Sequence, residues 1–192
     1  MTRTVWERGT AMLDRVSAEV LALAGAQTAL TVRGALAQNL AMREPAVDDD
    51  HDPRYLHTAR TIRILLADAA CTDPAVLTAA AWLDTVDAAL EPTDRSSLGA
   101  DAAALLAGVP RPQEGDLLLE ALLCAEPAAV LLAAAERLDQ ARHLHLRPDL
   151  DWPAFHAEVE MVYAPMAVRA APLIGHRLGR WADAFRRRLL AR

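Results

Sequence analysis

The chain has 192 residues, of which 53% are apolar but only 4% aromatic, and 26 acidic against 20 basic side chains give it a formal charge of −6. That length suits one well-buried domain better than two, and the acidic balance argues against a nucleic-acid-binding role. A core of Ala, Leu and Val with so few rings points to closely packed helices and away from sheets.

Every cationic side chain is arginine and none is lysine, which reads as codon bias before function. Cys71 and Cys124 are far apart and show no CxxC spacing, so two reduced, buried thiols of a cytoplasmic protein are expected. The opening stretch MTRTVWERGTAMLDRV carries charge throughout and lacks the apolar segment of a secretory signal. The longest apolar run, around Ala128 to Ala135, is far too short to cross a bilayer. The expectation is a soluble, cytoplasmic protein with no membrane partner.

Val5, Met12, Val16, Val20 and Leu23 recur at helical spacing and mark a first helix that stops near Gly25. A second runs from about Gln27 to Arg43 and ends in the acidic stretch EPAVDDDHD, residues 44–52. Beyond it, Asp52-Pro53, Asp73-Pro74 and Glu126-Pro127 each set an acid before a proline, with Asp151-Trp152-Pro153 a looser version. An acid at the N-cap satisfies orphan amides, and proline at the first helical position has no amide to lose. These signals predict helices near 53–70, 74–89, 97–108, 115–124, 127–146, 153–171 and 173–190, with Pro165 kinking its own helix. No segment alternates as a strand would, and neither a repeat nor a long linker is visible. The expected fold is all-α: a single helical domain of about eight or nine helices spanning 1–192.

Chemistry in such a domain needs polar groups from different helices to converge. Four places qualify. His57 lies in YLHTARTIRILLAD. Asp84 and Asp87 lie three apart in TAAAWLDTVDAAL, and so on one face of a helix. Glu136, Asp139 and Gln140 lie in AERLDQAR, and YAPMAVR spans residues 163–169. In order and spacing, these and the RWADAFRRRL that follows resemble the hydrolase domain of the RelA/SpoT family and the single-domain small alarmone hydrolases. The likeness covers about residues 50–190, which leaves 1–45 as additional N-terminal helices. YAPMAVR is its most specific element.

The resemblance implies an HD-type helical bundle that removes the 3′-pyrophosphate of ppGpp with a bound manganese ion. By position it implies metal ligands at His57, Asp84 and Glu136, a catalytic acid at Asp87, and ligand contacts at Gln140 and Arg142. The departures are as informative. Leu83 replaces a metal-binding His, Asp87 replaces a Glu, Ala88 replaces a second acid, and Glu136 and Gln140 replace an Asp and an Asn. Leu has no lone pair for a metal, and even an outer-shell loss typically lowers affinity about 10–100-fold. Asp87 is therefore expected to be vestigial and no cofactor is expected, with manganese bound only if the site is functional.

Each residue also has an ordinary reading. His57 suits a core histidine, and Asp84 and Asp87 suit caps or partners of arginines. Glu136–Arg137 and Asp139–Arg142 suit helix-surface pairs worth about a few tenths of a kcal/mol. His143 and His145 are two apart, face differently and make a poor metal pair. Arg186 to Arg188 suit a solvated C-terminal turn.

Three functions follow. The first is a pseudohydrolase that binds a guanosine nucleotide or a protein partner. The second is an active phosphohydrolase rebuilt around His57, Asp84 and Glu136. The third is an interaction module whose pocket is filled by Trp82 and Leu83.

Overall fold

The computed structural model describes residues 5–43, 56–83, 99–110 and 115–190. Among them the chain is all-helical, without a strand. The elements are α1 (Val5–Ala24), α2 (Ala26–Arg43), α3 (His57–Ala69), α4 (Pro74–Ala81), α5 (Ala100–Gly108), α6 (Gly115–Cys124) and α7 (Pro127–Arg142). A 3-10 turn (Leu144–Leu146) precedes α8 (Trp152–Glu158), which runs through a π turn (Val159–Tyr163) into α9 (Ala164–Ala170), and α10 (Pro172–Leu190) follows. The helix expected at 127–146 therefore ends as α-helix at Arg142, and of the one expected at 74–89 the described part stops at Ala81. No helix among the described residues is long and apolar enough to cross a membrane.

Asp52-Pro53 lies outside the described residues, and two of the other proline signals work through their acids. Asp73 accepts from the amides of Ala75 at 2.8 Å and Val76 at 3.4 Å, and Asp151 accepts from Ala154 at 3.0 Å. Glu126 makes no side-chain cap and leaves the start of α7 to Pro127. Its longer arm is the poorer N-cap, as the preference for Asp, Asn, Ser and Thr implies.

Two compact units divide the chain, residues 1–107 and 108–192. In the first, α1 and α2 form a hairpin about Gly25, whose φ of +88° is a conformation that glycine adopts without strain. Val16, Val20 and Val32 are fully buried between these helices, and α3 and α4 add Ile62, Leu65 and Leu77. Buried Asn39 on α2 donates to the carbonyl of Ala81 at 3.0 Å, which ties down the end of α4. Arg63 on α3 grips both carboxylate oxygens of Glu19 on α1, at 2.9 and 3.1 Å.

In the second unit α7 packs against α9 and α10. Leu132, Ala135 and Leu138 of α7 and Ile174 and Leu178 of α10 are buried there. α9 and α10 come close enough that a Cβ on Gly175 would lie 2.5 Å from the backbone nitrogen of Val168. Pro165 does not simply kink its helix. It has no amide to donate, and its ring would strike the carbonyl four residues back. The π turn just before it removes the conflict: the Ala164 amide reaches back to the carbonyl of Val159.

The two cysteines are not paired. Cys71 is half-buried, and burial pushes its thiol up, partly offset by a hydrogen bond from the Asp73 backbone. Cys124 is exposed, contrary to the expected burial. Leu118 and Leu122 hold the inward face of α6, and a residue two further on points away from it.

Candidate functional site

His57 opens α3 and is only 7% exposed; its backbone carbonyl accepts from Thr61 Oγ1 at 3.0 Å. Leu83, which stands where the resemblance calls for a metal-binding His, is 2% exposed beside Trp82 at 1%. These residues belong to the unit 1–107. Asp84, Asp87 and Ala88 lie outside the described residues.

Glu136, Gln140 and Arg142 share α7 in the unit 108–192. Gln140 donates to Glu136 at 3.2 Å, one helical turn apart. Asp139, at 1% exposure, lies on the buried side of the same helix. Nδ1 of His143 is 2.8 Å from the Asp139 carbonyl and 3.2 Å from its Oδ1. Both of those atoms are acceptors, so that nitrogen must carry the proton. The ring thus adds to the His143 backbone amide, which also donates to the Asp139 carbonyl, at 3.2 Å, at the end of α7. Among the described residues no group of three or more His, Cys, Asp or Glu is arranged to hold a metal ion.

Two of the motifs that carry the resemblance meet in this unit. Arg137 of AERLDQAR is 6% exposed. Its guanidinium donates to the Tyr163 hydroxyl of YAPMAVR at 3.2 Å and pairs with Glu158 at 3.1 Å. It also lies 4.4 Å from the Tyr163 ring centre and 4.7 Å from that of Phe155. A weakly hydrated, planar cation tolerates such a site better than an ammonium would. Burial raises the Tyr163 hydroxyl above its usual range, and Arg137 partly opposes that by favouring the phenolate.

Beside this cluster the rings of Trp181 and Phe185 stack, with centres 5.1 Å apart, and Phe155 meets Trp181 edge-on at 5.8 Å. His156 stacks on Phe185 at 5.3 Å and donates from Nε2 to the Ala182 carbonyl at 2.9 Å. Trp181 then reaches an open groove of about 440 Å³, lined also by Leu138, Arg142, Arg177 and Arg180. Of these, Arg142 stood out as a site residue, and Arg180 and Trp181 only as the start of RWADAFRRRL. Arg177, Arg180 and Trp181 fall at i, i+3 and i+4 on α10, a one-face spacing that was visible, but their convergence on α7 was not.

No family model and no curated protein matches this chain.

Proposed function

We propose that the chain is a degenerate relative of the HD-type alarmone hydrolases that binds a guanosine nucleotide or a protein partner without ordinary hydrolysis. The observation that carries this reading is Leu83 at 2% exposure. A fully packed aliphatic side chain occupies the position where the resemblance requires an imidazole on manganese. Ala88 removes an acid at the same time, so the metal-activated water and the acid beside it are both compromised. The contact between Arg137 and Tyr163 supports the resemblance itself, because it joins AERLDQAR to YAPMAVR in one packed cluster. Those residues hold the scaffold, whereas the lost positions are the ones assigned to chemistry.

The test is incubation of the purified chain with ppGpp and Mn²⁺, following pyrophosphate release, alongside a thermal-shift titration with ppGpp alone. The expected result is no multiple turnover, with a rise in melting temperature as ligand occupies the folded state. Turnover that a chelator abolishes would establish instead a working phosphohydrolase built on His57, Asp84 and Glu136. Neither turnover nor a shift would favour the protein-partner form of the proposal.

A further inference from the structure

We propose that Arg142, Arg177, Arg180 and Trp181 form a binding site for an oligophosphate anion in the groove between α7 and α10. The groove holds about 440 Å³, enough for several phosphate groups, and Leu138 and Trp181 supply its apolar wall. Three guanidiniums from two packed helices converge on it. Each presents a planar fork of donors that matches phosphate oxygens two at a time.

The charged side chains lining the groove are all basic. α10 carries Arg177, Arg180, Arg186, Arg187 and Arg188 against the single acid Asp183, and even with Arg186 paired to Glu160 and Asp183 the helix remains net basic in a chain whose total charge is −6. Such a local reversal concentrates anions at this surface. On α7, Asp139 is buried beside His143 and Glu136 accepts the Gln140 amide, and neither lines the groove. Arg142 and Arg177 already have interactions of their own, so an arriving anion shares or displaces those partners. Trp181 is braced by Phe155 and Phe185, which gives the groove one rigid wall.

The shared chemistry is a chain of phosphates, whose source is either a free inorganic oligophosphate or the phosphate chain of a nucleotide. The assignment rests on the groove alone and stands whether or not the chain hydrolyses ppGpp. It is tested by calorimetric titration of the full chain with inorganic tripolyphosphate and, separately, with guanosine triphosphate, at near-physiological salt. Hydrogen bonds to charged groups are worth enough that Arg177→Ala with Arg180→Ala should weaken binding by about tenfold or more. Arg187→Ala, on the same helix but outside the groove lining, should change it by less than about twofold, as expected for a surface charge. Far-UV circular dichroism checks that the variants keep their helices, and the single Arg180→Ala change at an exposed position keeps the test open if the double variant does not. Nucleotide binding that is tighter than tripolyphosphate and weakened by Trp181→Leu assigns the nucleotide source. Equal affinity for both, indifferent to that change, assigns the free oligophosphate. No binding of either probe, or an equal loss in the Arg187→Ala control, overturns the site.

Discussion

The guanidinium of Arg137 lies 4.4 Å from the centre of the Tyr163 ring and also donates to the hydroxyl of that ring, at 3.2 Å. One cation is thus held by both the face and the tip of a single side chain, with Glu158 completing the set. Arg137→Lys keeps the charge but loses the fork and the planar stack, and should cost about 1–3 kcal/mol. Arg137→Met, which strands Glu158 at its half-buried position, should cost more, and adding Glu158→Gln should recover part of the loss. Urea unfolding measures all three variants. A lysine variant as stable as the parent would show that the stack contributes nothing.

The pH dependence of stability follows from Tyr163. Its folded hydroxyl titrates above the ordinary value of 10.0, chiefly because burial penalises the phenolate. The stability linked to it is therefore fully present below that ordinary value. It declines as pH rises through 10 and towards the folded value, because the unfolded chain releases its proton first. Tyr163→Phe should flatten this alkaline decline while lowering stability at neutral pH by about 1 kcal/mol, through the lost hydrogen bond. Thermal melts between neutral pH and the alkaline limb would test both, and a slope unchanged by the substitution would count against Tyr163 as its source.

Leu83→His introduces a polar ring at a position that is 2% exposed. Without a partner it should cost about 1–3 kcal/mol. If the proposed ancestry is right, the triple change Leu83→His, Ala88→Asp and Glu136→Asp should gain melting temperature on addition of Mn²⁺, whereas the parent should not. Imidazole must sit about 2.0–2.1 Å from a transition metal, a tolerance that an unrelated helical protein would not meet by accident. A folded triple variant that ignores the metal would remove the support for the HD reading.

Two glycines on one helix should respond oppositely to alanine. A Cβ at Gly175 would come within 2.5 Å of both the backbone nitrogen and Cγ2 of Val168, so α9 and α10 must separate at an overpacking cost of about 1–3 kcal/mol. At Gly179 nothing lies within 4 Å of an added Cβ, and alanine should stabilise by about 0.5–1 kcal/mol through helix propensity. Paired denaturation curves of Gly175→Ala and Gly179→Ala check the sign of each.

Local signals carried most of the helix pattern. Asp73 and Asp151 cap the helices they announce, and Gly25 turns the first hairpin where the apolar spacing stops. Pro165 was legible as a disturbance but not as a π turn, because the chain can answer a missing amide by bending or by widening. The cluster around Arg137 was hidden for a different reason. Arg137, Phe155, Glu158 and Tyr163 are scattered over AERLDQAR, the helix begun by Asp151 and YAPMAVR, and only packing chooses which ring faces the cation. The same holds for the arginine groove. The three C-terminal arginines looked like a solvated turn, and nothing local in Arg177 or Arg180 says that Arg142 waits across from them. Asp84 and Asp87 stand out by spacing and by the resemblance, and both lie outside the described residues.

The π turn at 159–163 also sets an angular phase. Phe155 and Tyr163 are eight residues apart, and in an uninterrupted α-helix they would point about 80° away from one another. A wider turn advances less per residue and takes up most of that angle, so both rings can flank the same guanidinium. Excising one residue from the turn, such as the exposed Met161, would restore ordinary helical advance. The rings would then be seven residues apart and only about 20° out of phase, so both could still face the cation, but Pro165 would be driven back against a carbonyl. The irregularity that accommodates the proline thus also absorbs the extra residue between the two rings.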